Sequence, residues 1–282
     1  GVINFMGGIG SIIAFLIGGT LYDIQPQFPF WLASALILVG VLLVFAFIRE
    51  PKIYDQNPNL EKPNLWKSLA QIFRDKQHDA IRIFLAIFFW FVAMNAIETF
   101  ITLYANHSLG MSEGRSVTLM TLNSLAFVIM ALPAGLIGGK IGRKRTISIG
   151  IVVMIIVMTS IFFIPAETLT QELFKLPVLG AVPVVGLMLV IAGLGWALIN
   201  INSLPVVVDL TDVTQIGTFT GLYYLFSTLA AIVGPNVNGW IVKLTGDNYA
   251  SIFIIGPIFM LAALISILGM KSGEAKSAQI LK

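Results

Sequence analysis

Cysteine is absent from this 282-residue chain. That rules out a disulfide, a thiolate nucleophile and a cysteine-held metal. Histidine is nearly absent: His78 and His107 are the only two. They lie far apart in expected loops, so no metal centre is predicted. Charge is scarce as well. Asp, Glu, Lys and Arg make up 11% of the residues, against roughly 25% in an average soluble domain. There is no H-E-x-x-H, and neither histidine pairs with a nucleophile, so no enzyme is expected. Rings of charge and filter-like loops are missing, which argues against a channel. No segment is large enough for a cytoplasmic signalling domain, as a receptor would need, and neither a cofactor nor a nucleic-acid partner is expected. Residue 1 is Gly, and an apolar run starts at once with no charged segment before it. This is not a secretory signal, and the reading is of a piece whose beginning lies upstream.

What is abundant is apolar. Hydrophobic residues make up 57% of the chain, including 20 Phe. A membrane core of about 30 Å needs about 20 apolar residues per helix. Eight stretches qualify: 2–22, 29–48, 81–104, 116–139, 146–165, 179–204, 218–242 and 250–270. The predicted fold class is therefore an all-α integral membrane protein with eight transmembrane helices. An even number of spans places both ends on one side. Fourteen of the seventeen Lys and Arg fall in segment 49–82, in the turn at 140–145 and in the tail. The opposite side holds only Arg115, Lys175 and Lys243. Short loops rich in cations stay in the cytoplasm, so both ends and the long loop are expected there, with the chain integral to the plasma membrane.

The long loop, 49–80, opens with Pro51, Pro58 and Pro63 and then runs Leu65-Trp-Lys-Ser-Leu-Ala-Gln-Ile-Phe-Arg74. Trp66, Leu69 and Phe73 share a helical face, which suits a short helix lying on the membrane surface. The first and seventh spans also match at an offset of 220. Gly10, Ala14 and Gly18 fall opposite Ala230, Gly234 and Asn238, and Gly19 opposite Gly239. Small residues every fourth position let helices approach closely. Two spans, a basic loop and six spans then read as the end of one six-helix half and a complete second half, a known transporter plan.

One short turn is more specific than the spans. Gly135-Leu-Ile-Gly-Gly-Lys-Ile-Gly-Arg-Lys-Arg145 packs glycines and cations between two apolar runs. It resembles the signature loop of the major facilitator superfamily, G-x-x-x-D-R-x-G-R-K. Gly135, Gly139, Lys140, Gly142, Arg143 and Lys144 occupy the pattern, with Gly139 where the family usually has Asp. That departure removes the carboxylate expected to lock the loop to a neighbouring helix. Three further stretches, Asn95–Tyr104 (NAIETFITLY), Gly195–Pro205 (GWALININSLP) and Gly221–Tyr224 (GLYY), resemble bacterial proton-coupled sugar transporters related to plant sucrose carriers and to the glycoside-pentoside-hexuronide symporters.

The resemblance implies that these are helices 5–12 of a twelve-helix, two-half transporter. Residues 1–48 would be the last two helices of the first half, 49–80 the central loop, 81–270 the complete second half and 271–282 a cytoplasmic tail. The implied function is secondary active transport of a sugar or glycoside with a proton or sodium ion, by alternating access. The alternative is an exporter of drugs or other small metabolites from the same superfamily. The partners implied are the solute, the coupling ion, the lipid bilayer and the missing N-terminal helices. In similar transporters the coupling acids lie mostly in the first half, so they are expected outside this chain.

Polar groups inside spans mark partners or pathways. Glu98 is the one acid deep in a span, and Asn95, Glu98 and Thr102 share a helix face. Counting from the expected span ends puts Glu98 about 9 Å and Asn123 about 11 Å from the outer side, so an outer polar layer is expected. Asn200, Asn202, Tyr223, Tyr224 and Ser227 form an expected inner layer, with Trp196 available to stack on a sugar ring. Asn200 and Asn202 are about 200° apart on a helix, so one packs and the other faces the cavity. Asp209 and Asp212 are expected to follow their span as loop acids. Asp209 is the expected partner of Arg143, closing the inner mouth in the outward-facing state.

Overall fold

The computed structural model of the chain describes residues 2–48, 78–177, 179–211 and 215–270. The expected surface helix at 65–74, the tail 271–282 and Asp212 lie outside the described residues. The described residues are mainly helical. Seven helices are long and apolar enough to cross a membrane, and a shorter apolar stretch, Met6–Tyr22, stands where the first span was expected.

In chain order the helices are α1 (Val2–Ile24), α2 (Phe28–Phe47), α3 (Asp79–His107), α4 (Glu113–Ile141), α5 (Arg143–Phe163), α6 (Ala166–Thr170), α7 (Val184–Asp209), α8 (Ile216–Leu244) and α9 (Ile252–Leu268). A hairpin of β1 (Glu172–Leu176) and antiparallel β2 (Gly180–Pro183) precedes α7. The hairpin corrects the expected span at 179–204, whose first residues are strand. A short apolar run does not by itself distinguish strand from helix, and Pro183 at the N-cap of α7 marks the change. At its other end α7 runs through Pro205 to Asp209. Internal prolines break helices less in membranes than in water, and here Val206 and Val207, both fully buried, anchor the last turns. Asp209 is thus the final residue of the helix rather than part of a loop.

The packing is pairwise. α7 lies against α4 and α5, α3 against α8 and α9, and α5 against α9. Trp90 and Phe84 of α3 and Phe253 of α9 are fully enclosed by this group. α1 packs on α4, while α2, with no buried residue, packs chiefly on α1. Outward side chains are apolar instead of charged: Phe45 is 84% exposed and Leu244 80%. That surface suits lipid and not water.

The two small-residue stripes differ in use. On α8, Ala230, Gly234 and Asn238 are buried, and Gly234 meets the Val92 backbone of α3. On α1 the residues that meet α4 are Gly8 and Gly19, while Gly10 and Gly18 face open space. The bundle therefore has two distinct ends. The basic end gathers the start of α3, the α4–α5 turn and the ends of α7 and α9. The hairpin end gathers β1–β2, the start of α4 and the end of α3.

Candidate functional site

The basic turn is built by Gly142. Its φ of 95° lies in the left-handed half of backbone space, which glycine enters without strain. It ends α4 and starts α5 in a single residue. The two cations that follow diverge. Arg143 Nε lies 2.8 Å from Asp209 Oδ2, tying the turn to the end of α7. Asp209 Oδ2 is shut off from solvent and accepts no aligned hydrogen bond, so the contact is a Coulombic pair. Lys144 Nζ instead donates to the Leu268 and Met270 carbonyls, at 3.1 Å and 2.6 Å. Arg82 from α3 donates to the neighbouring Gly269 carbonyl. Two cations thus meet the negative end of α9, where unpaired carbonyls and the helix dipole favour positive charge. Lys140 is exposed.

The glycines ahead of the turn divide the same way. Gly139, at the position of the family's Asp, has open space where a side chain would go. Gly135 sits at ordinary contact distance from Ile201. The close approach falls instead on Gly138, where an added Cβ would lie 1.8 Å from Asn202 Oδ1. That space lets the Asn202 amide nitrogen donate to the Ala134 carbonyl at 3.1 Å, across from α7 to α4, as well as to Leu198 within its own helix. Asn202 is therefore the asparagine of the pair that packs, and Asn200, half-buried, is the other.

Toward the middle of the bundle, Phe91 of α3 stands edge-on to Trp196 at 5.4 Å between ring centres and to Tyr223 at 6.1 Å. Trp196 is buried by this packing, so its face is not free to stack on a solute here. The Tyr223 hydroxyl meets Ser203 Oγ at 2.9 Å, joining α8 to α7. Tyr224 stands edge-on to Tyr223 and is exposed. Ser227 bonds back to the Tyr224 carbonyl.

Two turns further along α3, Glu98 and Thr99 are exposed and Asn95 is half-buried, its amide nitrogen bonded to the Phe91 carbonyl. Glu98 and Asn123 line one small cavity of about 20 Å³. The Asn123 amide nitrogen donates to the Leu189 carbonyl of α7 at 3.0 Å. Because α3 extends to His107 and α4 starts at Glu113, Glu98 lies about 13 Å and Asn123 about 15 Å from the hairpin end. Both helices have 29 residues, about 43 Å against a bilayer core of about 30 Å, so each residue lies within about 8 Å of its helix centre, on the hairpin side. Thr102 parts from Glu98: it lines a separate cavity of about 390 Å³ with Tyr22, Asn106 and His107, between α1–α2 and α3–α4.

Sequence reading missed three participants. Phe91 is the hub of the aromatic cluster, and nothing in its apolar run distinguishes it from its Phe neighbours. Gly138 and Ser203 act through contacts with other helices. One motif was also overlooked: Gly110-Met-Ser-Glu-Gly114 has the G-x-S-x-G spacing of a hydrolase nucleophile. Here Ser112 caps α4, accepting from the Arg115 N–H at 3.4 Å, with no strand before it. The spacing is helix capping, not a strand-to-helix elbow. Among the described residues no group of His, Cys, Asp and Glu could hold a metal.

Comparison with known proteins agrees with this architecture. The chain is 26% identical over 207 residues to the uncharacterized MFS-type transporter YxiO of Bacillus subtilis (strain 168), an alignment covering 72% of this chain and 44% of that protein. It is 25% identical over 142 residues to Multidrug resistance protein 2 of the same organism, covering 50% of this chain and 36% of the relative. The chain thus spans less than half the length of these relatives. The family profile described as Major Facilitator Superfamily matches residues 1–235 and 107–279, and the chain belongs to that superfamily of membrane transporters.

Proposed function

We propose that the chain is the second half, with the two helices before it, of a transporter that moves a sugar or glycoside coupled to a proton or sodium ion. The observation that carries this reading is the stacking of two chemistries along α3. Glu98, Thr99 and Asn95 supply acceptors and donors at mid-depth, and Tyr224, exposed and set edge-on against the packed Phe91–Trp196–Tyr223 cluster, supplies ring surface. Sugars present hydroxyls at their rims and C–H faces between, and a concave site with a few convergent polar groups suits them. The resemblance of Asn95–Tyr104, Gly195–Pro205 and Gly221–Tyr224 to sucrose-type carriers supports the same class.

In this reading the basic end faces the cytoplasm of a plasma-membrane protein, and the two halves rock about the site. Arg143–Asp209 closes the inner mouth and opens in each cycle, while Lys144 and Arg82 keep α9 in place. Asn200 and Tyr224 face the solute, and Asn202 and Trp196 support them.

A second reading has one specific support. A relative named as a multidrug resistance protein, together with the aromatic cluster, favours export of amphipathic compounds. Uptake of radiolabelled sucrose and maltose, set against a lipophilic cation, by vesicles holding the full-length protein separates the two. Sugar uptake supports the first reading; transport of the lipophilic cation alone supports the second.

A further inference from the structure

The cavity of about 390 Å³ between α1–α2 and α3–α4 has no part in the reading above. Its volume falls within the range of small-molecule sites, about 300–1,000 Å³. Gly18 helps to make the room: a Cβ added there would meet nothing within 4 Å. On the α1–α2 side the walls carry the rings of Phe15, Tyr22 and Phe30.

The polar groups on the α3–α4 side share one property: most of their hydrogen-bond donors are already spent. The Asn106 amide nitrogen donates to the Met111 carbonyl at 2.9 Å, which leaves its Oδ1 as an acceptor. The Ser116 hydroxyl donates to the Ser112 carbonyl at 3.0 Å. His107 Nδ1 lies 3.0 Å from the Leu103 carbonyl. A carbonyl only accepts, so Nδ1 carries the hydrogen and Nε2 of the neutral ring is left as an acceptor. Glu113 stands in the first turn of α4, where the helix dipole favours negative charge. Its carboxylate makes no ion pair or hydrogen bond to any described residue. No Lys or Arg lines the cavity, and Arg115, two residues on from Glu113, is bound to Glu172 at 2.9 Å.

Aromatic walls, one unpaired carboxylate and an excess of acceptors are complementary to a cation that carries N–H donors on an apolar body. Its N–H groups match Glu113 and the neighbouring acceptors, and ring faces attract its charge. An anion is repelled by Glu113. A sugar brings as many acceptors as donors, and only the Thr102 and Tyr22 hydroxyls can answer the acceptors. We propose that this cavity is a binding site for a hydrophobic primary or secondary amine in its ammonium form, held by Glu113 and separate from the solute path along α3. The site goes beyond the reading of transport and does not depend on which solute crosses.

The test is equilibrium binding of radiolabelled propranolol, a naphthyl secondary amine, to the full-length protein in lipid nanodiscs, with binding to empty nanodiscs subtracted. Lipid competes for the cavity throughout. Saturable binding is expected. Glu113→Gln, which removes the charge at an exposed position, is expected to weaken it about tenfold or more. Gly18→Leu, whose Cβ meets no neighbour, fills the room and is expected to weaken it at least as much. N,N-dimethylpropranolol has the same charge without the ammonium N–H and is expected to bind several-fold more weakly. Absence of saturable binding to the wild type overturns the proposal. Unchanged affinity in either variant also overturns it and places the amine elsewhere, and equal affinity for the two compounds overturns the ammonium class. No transported solute is needed, so failure of the sugar reading leaves this result standing.

Discussion

Arg143 and Asp209 meet at 2.8 Å, from the first turn of α5 to the last residue of α7. The side chains are 31% and 26% exposed, so the pair contributes on the order of 1 kcal/mol or less to folding. Its weakness fits a bond that forms and breaks in each cycle. Arg143→Asp and Asp209→Arg are each expected to impair transport strongly, and the double exchange to recover part of it. Initial uptake rates in vesicles read this directly. Failure of the double exchange to improve on either single change removes the pair from the gating role.

Gly138 and Gly139 are neighbours with opposite demands. Gly138→Ala forces a methyl group into Asn202 Oδ1 and is expected to cost about 1–3 kcal/mol, the usual range for overpacking. Gly139→Ala meets nothing and stays near neutral. Thermal unfolding in detergent compares them. In the background of Asn202→Ala the Gly138→Ala penalty should shrink, because the atom it strikes is gone.

Tyr223→Phe and Ser203→Ala remove the same hydrogen bond. Each is expected to lose about 0.5–1.5 kcal/mol of stability, with the double mutant no worse than the larger single effect. Full additivity in unfolding measurements would show that the two hydroxyls act independently.

Lys144 and Arg82 both serve the end of α9. Lys144→Met or Arg82→Met is expected to loosen that end by roughly 0.3–1 kcal/mol each. Hydrogen exchange at amides 265–269 should quicken in either variant, most in the double, while α7 stays protected. Faster exchange confined to α7 contradicts this assignment.

The membrane class, the helix count and the position of the basic turn were readable because hydropathy, span length and cation placement are summed over many residues. Individual partners were less so. Periodicity placed Asn200 and Asn202 on opposite faces, but only the close approach allowed by Gly138 decides which one packs. Lys144 binds backbone carbonyls, which leave no mark in the sequence. Asp209 read as a loop acid because Pro205 suggested a helix end, whereas burial of Val206 and Val207 carries the helix on. The hairpin was hidden for a related reason: residues 179–183 are as apolar as a span. Glu98 was visible as an anomaly, but its depth depends on where α3 ends.

The account turns on whether a sugar crosses the membrane through this protein. The most direct measurement is uptake of radiolabelled sucrose and maltose by vesicles holding the full-length protein, with and without an imposed proton or sodium gradient. Accumulation above the equilibrium level that collapses when the gradient is dissipated is the predicted result. Uptake of neither sugar under either gradient, with transport of a lipophilic cation in the same vesicles, would contradict it.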